Sequence, residues 1–320
     1  MNTIGVLTSG GDAPGMNAVI RAVVRSAIYK GCKVVGIRRG YQGLLNKDVF
    51  DLELRSVSDI LQLGGTMLYT ARSAEFNTPE GVAKAARNCR KLGIDGIVVI
   101  GGDGSFRGAR DLTLQGIPCV GIPATIDNDI VCSDYTIGFD TAMNTAMEMV
   151  DKLRDTSESH DRCSVVEVMG RKAGHLALQT GIAVGATAIL VPEMDYDVDR
   201  DVLKRIRKSR KTNKRHFIVI VAEGVGMVAD LAKHINEKIG IECRPTILGH
   251  VQRGGSPSIN DRVISSRMGH HAVELLHGDI GNRVVALQNG KIVDFDINEA
   301  LSMVKPFDKE LYKIAREISI

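Results

Sequence analysis

Residues 97–105 read Ile97-Val98-Val99-Ile100-Gly101-Gly102-Asp103-Gly104-Ser105. Four β-branched apolar residues run into a glycine loop that carries one carboxylate and one hydroxyl. A short apolar run bounded by glycine reads as a buried strand. Glycines at its end let the backbone approach a ligand, and a carboxylate among them can hold Mg²⁺ through water while amides cradle phosphates. An exposed Asp in a plain turn is the alternative. The same plan recurs on both sides. Upstream, strand Ile4–Thr8 meets Gly10-Gly11-Asp12-Ala13-Pro14-Gly15-Met16-Asn17; downstream, Cys119–Ile122 meets Pro123-Ala124-Thr125-Ile126-Asp127-Asn128-Asp129, and Val165–Val168 meets Met169-Gly170-Arg171.

Outward from these loops, short β-branched runs alternate with amphipathic stretches along all 320 residues. Further strands are expected at Lys33–Ile37, Ala188–Val191, Phe217–Val221 and Val284–Leu287. Helices are expected at Asn17–Tyr29, Pro79–Leu92, Thr141–Arg154, Val202–Lys208 and Arg262–His277. Such alternation predicts an α/β protein with mainly parallel sheets flanked by helices, and a chain of this length predicts two lobes. Ligands in such folds bind beyond the carboxyl ends of the strands, where these loops lie.

Net charge is +3, so no overall basic field favours nucleic acid. The most basic stretch, Lys204 to Arg215, has no interleaved aromatics; it reads as a solvated helix face with Leu203 and Ile206 on the buried side. Six dispersed cysteines without a Cys-x-x-Cys pair read as reduced thiols rather than disulfides or zinc ligands. No leader pattern precedes the first strand and no apolar run reaches membrane-spanning length, so a cytoplasmic protein without a membrane partner is expected.

The loops divide the chemistry among them. Gly10–Asn17 suits an anion at a helix N-terminus and equally suits a tight strand-to-helix turn. Gly102 and Gly104 lack the third glycine of the dinucleotide fingerprint, because position 107 is Arg; this sets a dinucleotide-dependent oxidoreductase aside. No Gly-x-x-x-x-Gly-Lys-Ser/Thr and no protein-kinase signature set occurs. In Thr125–Asp129 two carboxylates two residues apart allow one to accept a proton while the other serves metal or geometry; no EF-hand ladder follows. Arg171 beside a glycine can fork onto phosphate. His250-Val251-Gln252-Arg253-Gly254-Gly255-Ser256-Pro257, with Arg244 upstream, suits an anionic sugar phosphate or a polar turn.

Together these motifs, from Ile4 to Ile320, resemble the bacterial ATP-dependent 6-phosphofructokinases. The resemblance implies a phosphofructokinase-like fold and a larger ATP-binding domain over residues 1–138 plus 252–302. It implies a smaller fructose 6-phosphate domain over residues 139–251 plus 303–320. It assigns ATP to Gly11, Arg72, Ser73, Gly102, Asp103, Gly104 and Ser105, with Asp103 at Mg²⁺. Asp127 is the implied general base, flanked by Thr125 and Asp129, while Arg171 and Arg72 steady the transferring phosphoryl group. Fructose 6-phosphate is assigned to Thr125, Asp127, Arg162, Met169, Gly170, Arg171, Glu223, Arg244, His250 and Arg253. Arg162 and Arg244 are expected to reach into the site of a neighbouring subunit of a homotetramer.

In pyrophosphate-using relatives an Asp and a Lys stand at positions 104 and 124; Gly104 and Ala124 therefore imply ATP as the donor. Lipid and NAD kinases share the Gly-Gly-Asp-Gly turn but lack counterparts of the Thr125–Asp129 loop and the His250–Arg253 segment. A non-catalytic nucleotide sensor is opposed by the presence of Asp103, Asp127 and Arg171. For regulation by ADP and phosphoenolpyruvate, Arg21, Arg25, Asp59, Arg154, Gly185 and Lys214 match the family. Thr187 replaces its usual Glu and Thr212 its Lys or Arg, so weak or altered allostery is expected.

Overall fold

The protein is described by a computed structural model covering residues 1–319. Its strands are β1 (Thr3–Ser9), β2 (Lys33–Ile37), β3 (Val49–Asp51), β4 (Gly96–Gly101), β5 (Cys119–Pro123), β6 (Cys163–Val168), β7 (Ala188–Leu190), β8 (Phe217–Ala222), β9 (Cys243–Ile247), β10 (Arg283–Gln288) and β11 (Lys291–Asp296). The α-helices are α1 (Met16–Tyr29), α2 (Gly40–Asn46), α3 (Pro79–Lys91), α4 (Asp103–Leu114), α5 (Phe139–Ser159), α6 (His175–Ala183), α7 (Lys204–Arg210), α8 (Val228–Ile239), α9 (Ile259–His277), α10 (Ile297–Ser302) and α11 (Lys309–Ile318).

Two compact units share the chain. The first comprises Met1–Thr125, Ile130–Thr141 and Arg253–Lys305; the second comprises Ile126–Asp129, Ala142–Gln252 and, of the described residues, 306–319. The first holds a seven-stranded sheet in the order β11-β10-β5-β4-β1-β2-β3, the second a four-stranded sheet in the order β7-β8-β6-β9. Every strand pairing is parallel except β2 with β3 and β10 with β11.

Parallel strands covered on both faces are expected to be apolar throughout rather than alternating. That holds for β4 in the first unit and β8 in the second, which are buried along their whole lengths. Phe106, Leu112, Phe76 and Tyr41 cover the first sheet, and Tyr41 stacks on Phe76 with ring centroids 4.0 Å apart. In the second unit, Val202, Leu203 and Ile206 join Phe217, Val219 and Val221 in one core. The basic stretch forms α7 after a π-helical turn over Asp199–Leu203; Leu203 and Ile206 are buried as its pattern predicts. Local signals set the helix ends. Thr78 caps α3 by accepting from the Gly81 amide, Pro79 starts the helix, and Arg90 and Lys91 lie in its last turn.

Among the described residues no helix is long and apolar enough to cross a membrane. All six cysteines are free thiols.

Asn17, in the first turn of α1, organises the loop ahead of Arg72. Its side-chain amide donates to the Leu63 and Gly64 carbonyls at 3.1 Å each, and its oxygen accepts from the Met67 amide at 2.8 Å. Replacing Asn17 with Ala should destabilise the protein by about 1–3 kcal/mol, since three backbone groups lose their side-chain partner. Urea unfolding should register the change as a lower midpoint; an unchanged midpoint would remove Asn17 from this role.

Candidate active site

In the first unit, the carboxyl ends of β1 and β4 lie side by side, with Ser9 in register with Gly101. A Cβ on Gly101 would come within 2.3 Å of the Ser9 carbonyl oxygen, so only glycine fits there. Ser105, in the first turn of α4, donates its buried hydroxyl to that same carbonyl at 3.0 Å. The two glycine loops are thus joined by one hydrogen bond. Gly102 caps α4, and the helix leaves its first amides at the loop where an anion is favoured. A Cβ built on Gly104 meets no atom within 4 Å, so open space lies over this turn. Ala124, by contrast, is buried and bridges to Ile137.

Asp103 is half exposed, and its Oδ2 pairs with Arg107 at 2.8 Å, one helical turn on. Among the described residues no three His, Cys, Asp or Glu side chains gather as a metal cage. A single half-exposed carboxylate at a glycine turn that opens a helix suits Mg²⁺, which is typically held by one or two carboxylates plus substrate phosphates. Arg72 is exposed, whereas the Ser73 hydroxyl is buried and accepts from the Phe76 amide at 3.2 Å. Arg253 also lies here. Its Nη1 donates to the Asp12 carbonyl at 3.1 Å, and it would stand 2.6 Å from a Cβ on Gly11. Thr125 ends this unit's run, and its carbonyl accepts from the Thr136 hydroxyl at 2.6 Å.

In the second unit the loop Ile126–Asp129 supplies Asp127, whose side chain is 2% exposed. Arg171 approaches it with Nε 3.5 Å from Oδ2 and is itself 58% exposed. The acid is therefore enclosed while the arginine beside it stays open to solvent. The Arg171 backbone is left-handed (φ 53°), and its N–H donates to Glu223 Oε2 at 2.9 Å, which holds that conformation. Gly170 before it has φ 138° and no room for a side chain, because a Cβ would meet the Ala173 carbonyl at 2.5 Å. The Met169 amide donates to Gln252, a fully buried side chain between His250 and Arg253. His250 is exposed on the turn Gly249–Arg253 that follows β9.

Arg162 and Arg244 are elsewhere on this unit. Both grip Glu242, Arg162 Nε at 2.7 Å from Oε2 and Arg244 Nη2 at 2.5 Å from Oε1. Arg162 first, and then Arg244, hold the Glu242 carboxyl below its usual range against the opposing effect of burial. They stand at the amino ends of β6 and β9, whereas Met169–Arg171 follows the carboxyl end of β6. Seven residues of extended chain, roughly 20 Å, separate Arg162 from Met169. Within one chain this pair and the Asp127–Arg171–Glu223 group form two clusters. Glu242 and Gln252 escape a reading of the sequence as site residues, although each sits beside residues that the motifs single out.

The effector set likewise falls in two groups. In the first unit Arg21, Arg25 and Asp59 line a cavity of about 300 Å³ with Arg55, Ser58, Leu61 and Gln62. In the second, Arg154 donates to the Val184 carbonyl next to Gly185. Burial, with Arg154 nearby, lowers the Lys214 pKa. Thr187 is 1% exposed, and Thr212 turns back to the Ser209 carbonyl at 2.8 Å.

A family model described as Phosphofructokinase matches residues 3–276. A protein of Clostridium botulinum (strain Hall) named ATP-dependent 6-phosphofructokinase is 57% identical over 319 residues, covering 100% of both chains. One of the same name from Bacillus cereus (strain B4264) is 55% identical over 320 residues, again covering 100% of both. The solved phosphofructokinase of Saccharomyces cerevisiae matches with a TM-score of 0.89 and 35% identity over 100% of this chain, which spans 48% of the yeast chain. A pyrophosphate-dependent phosphofructokinase of Marinobacter aquaeolei matches with a TM-score of 0.86 over 97% of this chain and 86% of its own; at 21% identity this is a likeness of fold alone.

The bond between the two glycine loops can be tested directly. Ser105→Ala removes a buried hydroxyl and leaves the Ser9 carbonyl without it, for an expected loss of about 1–2 kcal/mol. Amide exchange over residues 101–105 should quicken in the variant; unchanged exchange would mean the hydroxyl does not hold the loop.

Proposed function

The chain belongs to the phosphofructokinase family, and from that premise we infer that it moves the γ-phosphoryl group of ATP to the 1-hydroxyl of fructose 6-phosphate. The products are fructose 1,6-bisphosphate and ADP, the committed step of glycolysis. Full-length identity to bacterial enzymes of that name carries the reading, and the contrast between a buried Asp127 and an exposed Arg171 at 3.5 Å supplies its chemistry.

Phosphoryl transfer asks for positioning and positive charge more than for covalent chemistry. The first unit is the donor domain. The amides at Gly102–Ser105 and the loop at Gly11 receive the phosphates, and the open space over Gly104 accommodates the rest of the nucleotide. Asp103 would hold Mg²⁺ after releasing Arg107. When bound, that ion neutralises charge on the β- and γ-phosphates. Arg72 is exposed and adds a further cation; Ser73, already engaged with Phe76, shapes the loop that carries it. The second unit is the acceptor domain. Asp127 accepts the proton of the 1-hydroxyl as the general base, with Thr125 and Asp129 on either side of it in the loop. Arg171 leaves Asp127 for the transferring phosphoryl oxygens, a movement that its exposure permits. Met169, Gly170, Glu223, His250 and Arg253 complete recognition of the sugar phosphate.

Arg162 and Arg244 bind the 6-phosphate of a neighbouring subunit's substrate within a homotetramer. Support comes from their placement: roughly 20 Å of strand separates them from Arg171 in their own chain. The resemblance also gives ADP or phosphoenolpyruvate to Arg21, Arg25 and Asp59 of the first unit and to Arg154, Gly185 and Lys214 of the second. Thr187 supplies no carboxylate there for an effector's metal. Six free thiols fit a reducing cytoplasm.

Assays of fructose 1,6-bisphosphate formation with Mg-ATP and with Mg-pyrophosphate in parallel test this reading. Product should form from ATP alone, and product from pyrophosphate alone would overturn the donor. Asp127→Ser should lower turnover by about 10²–10⁴ while ATP still binds; near-normal turnover would remove Asp127 from the mechanism. ADP should leave the half-saturating fructose 6-phosphate concentration little changed, and a several-fold fall would show that Thr187 does not impair activation.

A further inference from the structure

The mechanism leaves two buried carboxylates unused, Asp201 in the second unit and Asp261 in the first, and Asp261 is the more deeply buried. Asp261, in the first turn of α9, is 0% exposed and accepts four hydrogen bonds within the first unit. Its Oδ1 accepts from the Tyr135 hydroxyl at 2.5 Å and the Gly138 amide at 2.7 Å; its Oδ2 accepts from the Thr141 amide at 2.9 Å and the Thr141 hydroxyl at 2.5 Å. All of those donors lie on one short segment, 135–141, between the Thr125–Asp129 loop and the body of α5. An isolated buried carboxylate is costly unless its oxygens are satisfied, so an acid with four donors marks a place where the backbone path is strictly specified.

That segment in turn holds the end of β5. The Thr136 hydroxyl donates to the Thr125 carbonyl at 2.6 Å, the Ile137 amide donates to the Pro123 carbonyl at 3.0 Å, and Ala124 bridges to Ile137. Gly138 sits at φ 100° with its absent Cβ aimed at Ala13 and Pro14, so the segment is closely confined on that side too. Contact therefore runs unbroken from Asp261 through Thr136 and Ile137 to Pro123–Thr125, from which the loop to Asp127 departs.

We propose that Asp261 is a positioning residue for phosphoryl transfer: through Thr136 and Ile137 it fixes the backbone at Thr125 and hence the departure of the Asp127 loop. The proposal rests on the role given to Asp127 above. Asp261 touches no reacting group. Its carboxylate is required because each oxygen accepts from a backbone N–H, Gly138 on one and Thr141 on the other. An Asn amide, in either orientation, would set its NH₂ against one of them.

The test compares Asp261→Asn, Thr136→Val and Asn88→Ala with the parent enzyme in steady-state assays and in hydrogen exchange. Asn88, whose amide donates to the Leu44 and Leu45 carbonyls, serves as a buried destabilising control away from the loop. Asp261→Asn and Thr136→Val should each lower kcat by about 10- to 100-fold, the range for a slightly misplaced catalytic group, with KM for ATP within about twofold of the parent. Exchange over residues 124–129 should rise about tenfold in both, whereas Asn88→Ala should lose stability and keep its kcat. If Asp261→Asn fails to fold, Thr136→Val, which is close in size and removes the bond to the Thr125 carbonyl, gives the answer alone. Parent-like kcat and exchange in Thr136→Val would overturn the proposal, as would equal losses of kcat in Asn88→Ala. An inactive parent would refute the assigned reaction instead, and the exchange comparison would still decide whether Asp261 holds the loop.

Discussion

The register of two neighbouring parallel strands, Ser9 opposite Gly101, is the constraint on which the glycine loops of the first unit depend. Parallel pairing brings two carboxyl ends to the same edge of the sheet, and each strand here ends in a glycine loop. At this register only a glycine at 101 avoids the Ser9 carbonyl. The Ser105 hydroxyl then spans the gap. One strand pairing therefore builds a rigid floor with amides on it before any charged residue is considered. Asp103, paired with Arg107, and Arg72 both stand open to solvent beside that floor. Rigid backbone and exposed charge are complementary requirements for holding a polyphosphate whose charge shifts during reaction.

The Asp127–Arg171 pair of the second unit separates the same two qualities differently. Asp127 is buried and Arg171 is exposed, yet they are paired. A general base gains from fixed geometry, since proton transfer requires a hydrogen bond of definite length to the hydroxyl. A phosphoryl-binding arginine gains from freedom, since its partner arrives with substrate. The Arg171 backbone, by contrast, is held by Glu223, so freedom is confined to the side chain. Glu242 acts in the same manner on Arg162 and Arg244, keeping two guanidinium groups together at one strand end. Like charges so placed would repel without the carboxylate between them.

Much of this was legible in the sequence because parallel, doubly covered strands announce themselves as apolar runs, and the glycine loops follow them directly. Eight strands lie where the apolar runs place them. Those that the runs do not reveal are the sheet edges. β9 reads Cys243-Arg244-Pro245-Thr246-Ile247, largely exposed and interrupted by proline, which only an edge position tolerates. β3 has three residues. β11 follows β10 through Asn289-Gly290, both at positive φ, a hairpin signal that is readable but is overlooked when alternation with helices is taken to imply parallel pairing. Helix α4 was hidden for another reason: Gly104 and Gly108 argue locally against helix. Tertiary packing overrides that, since a Cβ on Gly108 would strike the Tyr41 ring at 2.7 Å.

The motif His250–Pro257 shows most clearly where sequence spacing runs out. Read linearly it is one phosphate-binding stretch, yet its neighbours divide. Gln252, buried in the second unit, takes the Met169 amide, while Arg253 in the first unit bonds the Asp12 carbonyl and fills the space that Gly11 leaves. Two adjacent residues are thus tied to the backbone of different glycine loops. Spacing can report that a histidine and an arginine lie three apart, but it cannot report which loop each faces, because that depends on strands more than eighty residues away. The burial of Gln252 and the hydrogen bond of Arg253 make both residues structural supports first. Whatever they contribute to recognition is exerted from positions that the two loops already fix, so a substitution at either changes loop geometry as well as charge.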